Sequence, residues 1–149
     1  MMGRFDLGHI CLNVEEHGQG PALVLLHGFT GSAADWRDHV DSLASSHHVL
    51  AVDLPGHGAS DAPNNPEAYR MERCVDDLAA LLDLHAIERA SWLGYSMGGR
   101  VALAFTVTHP DRVERLILEG ASPGMADPNE RRERMVRDET LAASIERDR

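Results

Sequence analysis

The chain has 149 residues, 43% hydrophobic and 26% charged, which is the composition of a soluble globular protein long enough for one ordinary domain. Its net charge of −10 argues against nucleic acid as a partner, because binding to phosphates requires a basic face. All 14 basic residues are arginines, which excludes a Schiff base, a Ser–Lys dyad and a phosphate-binding P-loop, since each requires a lysine amine.

No segment of the sequence predicts a membrane span, a leader or a disulfide. The longest apolar runs, such as residues 22–26, have only five residues, far too few to cross a bilayer, and no signal peptide is recognisable at the N-terminus. Cys11 and Cys74 lie far apart and form no C-x-x-C pair. We expect a cytoplasmic protein in which both cysteines are small buried apolar residues.

The first half of the chain predicts strands separated by loops and one helix. A loose alternation over residues 5–15 indicates two short antiparallel edge strands or a hairpin. Residues 22–26 are continuous and apolar, as is typical of a strand that is buried on both faces of a parallel sheet, and residues 48–52, apolar after His48, predict a second buried strand. Between them, Ser32 or Asp35 is expected to cap a helix that runs through Trp36.

The second half continues the alternation of strands and helices. Helical spacing of apolar residues predicts a helix over 71–85, followed by a strand at 90–93, a helix from about residue 100 to His109 and a strand at 113–119. This order predicts an α/β fold with a mostly parallel sheet, whose site lies beyond the carboxyl ends of the strands. Residues directly after, or at the end of, a predicted strand are His27, Asp53, Ser96 and Glu119.

The tail, residues 127–149, differs in character from the rest of the chain. It contains six arginines and seven acids around sparse apolar positions. We interpret it as an amphipathic helix or a pair of short helices that begins a helical cap, with most of its charges in solvent. Residues 1–126 are then the N-terminal part of the α/β core.

The main candidate for chemistry is the turn Gly94-Tyr95-Ser96-Met97-Gly98-Gly99. A strand that becomes a helix over so few residues forces the serine into a strained conformation and raises its hydroxyl at the N-terminus of the helix. Glycines two residues before and two after the serine avoid collisions at the bend. The pattern predicts a nucleophile elbow with Ser96 as nucleophile.

An oxyanion hole is predicted on both sides of this serine. Its first N–H is that of Met97, and the second comes from the loop His27-Gly28-Phe29, which assigns it to Phe29. His27 is expected to hold this loop. No Cys/His spacing supports a metal site, and neither a metal nor a cofactor is predicted.

A proton acceptor for Ser96 cannot be identified. His109 is the only histidine after Ser96, and thirteen residues of helix place it roughly 20 Å away. The other histidines precede the elbow, whereas this architecture places the base after the nucleophile. We therefore expect a sheet that lacks its last strands, in the N-terminal part of a longer enzyme.

Four segments carry a resemblance to the α/β-hydrolase superfamily: LHGFTGS at 26–32, DLPGHGAS at 53–60, GYSMGGR at 94–100 and EGASPG at 119–124. The first and last segments, with Arg100, are most similar to the 2-succinyl-6-hydroxy-2,4-cyclohexadiene-1-carboxylate synthases of menaquinone biosynthesis. The resemblance implies a lyase without a cofactor, in which the serine acts as base and pyruvate is eliminated from a small carboxylate substrate. It also implies a substrate-binding role for Tyr95, Arg100, Arg134 and His27, with Arg131 and Arg132 as substitutes for Arg134.

Two other functions stay open. The same residues could form an acyl-enzyme in a serine esterase or a carbon–carbon bond hydrolase. A chain without a triad Asp and His could also be a non-catalytic fragment. In either case an incomplete sheet would expose an unpaired edge and an apolar face, which predicts poor solubility or self-association of the chain. The oligomeric state itself is not predicted.

Overall fold

A computed structural model describes residues 2–147 of the chain. Its strands are β1 (Met2–Asp6), β2 (Cys11–His17), β3 (Ala22–Leu26), β4 (His48–Val52), β5 (Ala90–Tyr95) and β6 (Val113–Glu119). Its α-helices are α1 (Arg37–Ala44), α2 (Met71–Leu84), α3 (Met97–Thr108) and α4 (Pro128–Arg147). Short 3₁₀ helices occupy Ala33–Trp36, Pro66–Tyr69 and Pro110–Arg112.

The six strands of the described residues form one mixed sheet in the order β1-β2-β4-β3-β5-β6. The pairs β3–β4, β3–β5 and β5–β6 are parallel, whereas β1–β2 and β2–β4 are antiparallel. The predicted α/β architecture with a mostly parallel sheet is confirmed. The carboxyl ends of β3, β4, β5 and β6 meet at one edge of the sheet and bring their following loops together.

The N-terminal segment forms a hairpin that joins the sheet through its second strand. Phe5 lies opposite Leu12 in the β1–β2 ladder, and Val14 lies opposite Val52 in the β2–β4 ladder. The prediction of a hairpin is confirmed, but of its two strands only β1 lies at an edge of the sheet. β2 is internal because it pairs with β1 on one side and β4 on the other, and its side chains Leu12 and Val14 are fully buried.

The core lies on both faces of the sheet, as the side-chain alternation of the strands requires. On one face, α2 and α3 cover Val24 and Leu26 of β3, and the ring of Trp92 packs on Phe105 at a centroid distance of 4.1 Å. On the other face, the smaller cluster contains Leu23 and Leu25 together with residues of α1 and the preceding 3₁₀ helix, among them Trp36 and Val40. β3 is therefore covered on both sides, as its apolar sequence predicted.

The tail forms one helix and not two short ones. Within residues 128–147 no side chain of α4 is buried, and Met135 and Val136 are 62% and 57% exposed. The prediction of an amphipathic helix is wrong for these residues, because the sparse apolar positions do not form a stripe that packs on the sheet. Positions 148 and 149 of the predicted cap segment, like position 1 of the core segment, lie outside the described residues.

Two further sequence-based predictions concern the burial of the cysteines and the absence of a membrane span. Cys74 is buried in α2, but Cys11 is only half-buried, so the prediction of two buried cysteines holds for Cys74 alone. Burial raises the pKa of the Cys74 thiol to about 11. Over residues 2–147, none of the helices has both the length and the apolar character that a membrane span would need.

Candidate active site

Ser96 occupies the sharp turn between β5 and α3. Its backbone has φ 50° and ψ −110°, a left-handed region that residues other than glycine rarely adopt. The Ser96 N–H donates to the Glu119 carbonyl at 2.8 Å, and the Ser96 carbonyl accepts from the Arg100 N–H at 3.2 Å. The strained residue is thus held between the end of the sheet and the first turn of the helix.

The glycines of the turn are required by close backbone approaches. A Cβ atom on Gly94 would lie 2.5 Å from the carbonyl oxygen of Gly98, which is far inside van der Waals contact. A Cβ atom on Gly98 would collide with the backbone oxygens of Leu26 and His27 at the end of β3. The helix can start against the sheet only because these positions carry no side chain.

The loop after β3 lies directly beside Ser96. The Gly98 N–H donates to the His27 carbonyl at 3.0 Å, which ties the first turn of α3 to this loop. A Cβ atom on Gly28 would lie 3.7 Å from the Cβ of Ser96 and 2.9 Å from the ring of Tyr95. The loop and the elbow, which are separated by almost 70 residues, are therefore neighbours.

His27 holds the loop with both ring nitrogens. The Leu54 N–H donates to Nε2 at 3.0 Å, so Nε2 carries no proton, and Nδ1 donates to the Gly28 carbonyl at 2.7 Å. The side chain is 1% exposed. This geometry contradicts the predicted substrate-binding role of His27, because neither nitrogen is free for a ligand. It agrees with the predicted structural role.

The same hydrogen bonds set the direction of the Phe29 amide. The Gly28 carbonyl accepts from His27 Nδ1 and from the Gly31 N–H at 3.0 Å, which fixes the plane of the peptide between Gly28 and Phe29. In a trans peptide the N–H is directed opposite to the carbonyl, so the Phe29 N–H is directed away from these two donors. Among residues 2–147, neither this N–H nor that of Met97 donates a hydrogen bond to another group.

A measurable consequence follows from the burial of His27. Burial lowers the pKa of His27, and this effect outweighs the hydrogen bond to Gly28, which acts in the opposite direction. The unfolded chain then binds more protons than the folded chain below about pH 6.5, so the contribution of His27 to stability is present above that pH and is lost on acidification. We expect the His27 ring to titrate below pH 6.5 in histidine-detected NMR titrations. Exposed His39 serves as the control, and titration of His27 at or above pH 6.5 would contradict the expectation.

Two side chains of the 53–60 loop support the site and were not identified from the sequence as functional. Buried Asp53 accepts from the Ala33 N–H at 2.6 Å and from Asn13 Nδ2 and the Ala59 N–H, both at 2.9 Å. His57 Nε2 donates to the Phe29 carbonyl at 2.6 Å. The glycines of this segment predicted a loop, but no local pattern reveals contacts that span 20 residues or more.

Tyr95 and Arg100 lie on different sides of the elbow. The Tyr95 ring is 48% exposed and rests against Gly28, beside Ser96. Arg100 lines a cavity of about 570 Å³ between α2, α3 and the segment after β6, together with Met71, Leu103 and Pro123 among others. Neither Ser96 nor Phe29 lines that cavity, so the structure does not bring Arg100 into one pocket with the elbow.

Arg134 lies near the candidate oxyanion loop. It shares a cavity of about 380 Å³ with Phe29 and with apolar residues of α4 such as Leu141 and Ile145. Its Nε donates to both carboxylate oxygens of Asp138, at 2.7 and 3.0 Å, one helical turn further on. The structure therefore places Arg134 across a cavity from the loop that approaches Ser96, and its guanidinium is paired with Asp138 of the same helix.

A base for Ser96 is not found within the described part of the chain. Its hydroxyl has no hydrogen-bond partner among residues 2–147, and Ser96 is partly exposed. His109 caps the far end of α3, where its ring packs on Phe105 at 5.1 Å, so it cannot reach the elbow. No group of three or more His, Cys, Asp or Glu side chains in residues 2–147 is arranged to hold a metal ion.

Comparison with known proteins agrees with this geometry. A family model described as the alpha/beta hydrolase fold matches residues 21–141. A Bacillus subtilis protein, provisionally named 2-succinyl-6-hydroxy-2,4-cyclohexadiene-1-carboxylate synthase, is 44% identical over 127 residues, which are 85% of this chain and 46% of that protein. A pimeloyl-[acyl-carrier protein] methyl ester esterase of Aeromonas hydrophila is 41% identical over 75% of this chain and 42% of its own length.

Solved structures show the same relationship. A hydrolase from Pseudomonas aeruginosa superposes with a TM-score of 0.81 and 28% identity, over 95% of this chain and 57% of the other. This chain spans somewhat less than half of the length of the two curated relatives. With its sheet order, its strained serine turn and a family match over most of its residues, the chain belongs to the alpha/beta hydrolase family.

Proposed function

We propose that Ser96 is the reactive residue of an enzyme and that the N–H groups of Phe29 and Met97 form its oxyanion hole. The observation that carries this proposal is the backbone of Ser96. Its φ of 50° destabilises the fold, and a serine with only a structural role would not offset that destabilisation. The proton acceptor of Ser96 is proposed to lie outside residues 2–147. The two N–H groups are unpaired in the described chain, which leaves them available for an oxyanion.

The reaction proposed for this site is a lyase reaction, the elimination of pyruvate from 2-succinyl-5-enolpyruvyl-6-hydroxy-3-cyclohexene-1-carboxylate. Ser96, deprotonated by its proposed proton acceptor, removes the proton next to the succinyl ketone, and the ketone oxygen becomes an enolate held by the two N–H groups. The ketone then re-forms as the electron pairs shift through the ring double bond and the carbon–oxygen bond to the enolpyruvyl group breaks. The leaving enolpyruvate takes up the proton that was removed and becomes pyruvate. No cofactor is required for this sequence. Its support is the 44% identity to the Bacillus subtilis protein.

Binding of a small carboxylate substrate requires local cations, because the chain as a whole carries a charge of −10. Arg134 is proposed to exchange its pairing with Asp138 for a substrate carboxylate above Phe29. Tyr95 is proposed to contact the substrate next to Ser96. Arg100 is proposed to bind another carboxylate, which requires its guanidinium to leave the cavity beside α2 and turn toward the elbow. We propose a cytoplasmic enzyme that acts on neither nucleic acid nor membranes.

Ester hydrolysis is the second candidate, and the 41% identity to a methyl ester esterase favours it. In that reaction Ser96 would attack the ester carbonyl and form an acyl-enzyme, with the same two N–H groups holding the tetrahedral oxyanion. The elbow alone does not distinguish the two reactions, because both place negative charge on an oxygen at the same position.

The two candidates are separated by comparing product formation. This chain, and any longer polypeptide that contains it, is assayed for pyruvate release from the cyclohexene substrate and for cleavage of p-nitrophenyl and methyl esters. We expect pyruvate release to exceed ester cleavage at least about 100-fold in kcat/KM and to require Ser96. Faster ester cleavage would assign the protein to the esterases, and the absence of both reactions from the longer polypeptide would reject a catalytic role.

A further inference from the structure

The N–H of Phe29, the second donor of the proposed oxyanion hole, stands in the chain between two carbonyls that are both held by histidines. The carbonyl before it, that of Gly28, accepts from His27 Nδ1 at 2.7 Å. The carbonyl after it, that of Phe29 itself, accepts from His57 Nε2 at 2.6 Å. The two imidazole rings are neighbours, with centroids 4.9 Å apart. The direction of this N–H therefore depends on both histidines.

The His57 ring has a carbonyl oxygen at each of its nitrogens. Nε2 contacts the oxygen of Phe29, and Nδ1 lies 3.0 Å from the oxygen of Pro55 on its own loop. A peptide carbonyl only accepts hydrogen bonds, and a neutral imidazole has a single N–H. A neutral ring could donate to one of these oxygens but would turn a lone pair toward the other. Only the doubly protonated ring makes both hydrogen bonds.

His57 differs in this respect from His9 and His27. His9 also has an oxygen at each nitrogen, but one of them belongs to the carboxylate of Asp77, which can carry the proton itself. The Nε2 atom of His27 accepts from the Leu54 N–H, so that ring must be neutral. Burial is the main cause that lowers the pKa of His27, and the charge of His57 adds to this effect. The two neighbouring rings therefore need opposite protonation states.

The charged groups around the two loops do not bond to the ring of His57. Titratable side chains on or beside these loops are those of Arg4, His27, Asp35, Asp53, Asp61 and Tyr69. Within residues 2–147, the Asp53 carboxylate bonds to N–H groups of other residues, and Asp61 pairs with Arg4. The contacts that favour the charged ring are thus its bonds to the two carbonyls.

We propose that His57 is a positioning residue of this site and that its imidazolium form holds the loop of Phe29. The inference rests on the proposed function, since it concerns the Phe29 N–H as an oxyanion donor. Charged His57 fixes the Phe29 carbonyl, while neutral His27 fixes the Gly28 carbonyl. Deprotonation of His57 leaves at most one of its two hydrogen bonds, and protonation of His27 removes its bond from Leu54. The donor is fully positioned only between these two titrations.

The first test is NMR spectroscopy of the isotope-labelled chain over a series of pH values. Long-range proton–nitrogen correlation spectra show which ring nitrogens carry a proton. We expect an interval of pH in which the His57 ring is doubly protonated while the His27 ring is neutral. When His57 loses a proton, the Phe29 amide resonance and a carbonyl carbon resonance of Phe29 or Pro55 should shift with the same midpoint. Deprotonation of His57 at a lower pH than that of His27, or without these shifts, would overturn the proposal.

Two substitutions separate the hydrogen bond of His57 from its titration. His57→Gln keeps a donor near the position of Nε2 but carries no titrating proton, so the Phe29 amide resonance should no longer shift on the alkaline side of the interval. His57→Ala removes the donor and should displace this resonance at every pH. His39→Gln, on the exposed face of α1, is the matched control and should retain the behaviour of the parent. Circular dichroism verifies that each variant is folded.

The second test uses the catalytically active polypeptide that contains this chain. We expect His57→Ala to lower kcat about 10- to 100-fold and to change KM by less than about threefold, because a misdirected donor weakens the transition-state contact. His57→Gln should recover most of kcat and lose the decline that the parent shows as His57 deprotonates. Equal pH profiles of the parent and His57→Gln would reject the positioning role. An inactive polypeptide would reject the proposed function alone, and the spectra would still decide whether the two histidines hold the loop.

Discussion

Replacement of Asp53 by alanine is expected to lower the free energy of unfolding by about 3–5 kcal/mol. The Asp53 side chain is 3% exposed and accepts hydrogen bonds from three N–H groups, which belong to Ala33, Asn13 and Ala59. Removing the carboxylate leaves three donors without an acceptor. It also disconnects β2, the helix start after β3 and the 53–60 loop, all of which meet at this side chain.

Urea unfolding of the chain, followed by circular dichroism, measures this change in the free energy of unfolding. Asp53→Asn should cost less than Asp53→Ala, because one carbonyl oxygen remains as an acceptor, although its amide nitrogen faces a donor. Asp76→Ala removes a carboxylate from the exposed face of α2 and should change stability by no more than about 0.5 kcal/mol. An effect of Asp53→Ala as small as that of the control would show that the buried network contributes little.

The positions of the elements were predictable from the sequence wherever the pattern was local. The predicted strands at residues 22–26, 48–52 and 113–119 coincide with β3, β4 and β6, because each contains a run of at least three consecutive apolar residues close to a turn. The turn around Ser96 was predictable because its pattern of glycines around the serine is also local in the sequence. β5 and α3 extend to Tyr95 and Met97, beyond the predicted ends, because the elbow admits no loop between them.

Features that depend on contacts between distant segments were not predictable. The sequence indicated that His27 supports its loop, but not that Leu54 and Gly28 occupy both of its ring nitrogens and exclude it from ligand binding. The roles of Asp53 and His57 likewise arise chiefly from partners 20 or more residues away, such as Ala33 and Phe29. The exposure of α4 was missed because charge composition alone does not show whether sparse apolar residues find a surface to cover.

The largest functional effect is expected at Ser96, and two substitutions there separate its chemistry from its conformation. Ser96→Ala and Ser96→Gly both remove the hydroxyl, so each should lower the kcat of the active polypeptide by at least about 1,000-fold if Ser96 is the reactive group. Their stabilities should differ, because alanine must still adopt φ 50°, whereas glycine adopts it without strain.

We therefore expect Ser96→Gly to be more stable than Ser96→Ala by about 1 kcal/mol in urea unfolding, with Ser96→Ala close to the parent because the hydroxyl has no partner in the described chain. Equal stabilities of the two variants would show that the backbone at Ser96 stores no strain. Retained activity in either variant would remove Ser96 from the reaction. If Ser96→Gly is more stable than the parent chain but inactive, the strained backbone of this turn lowers stability and is retained because it positions the reactive hydroxyl.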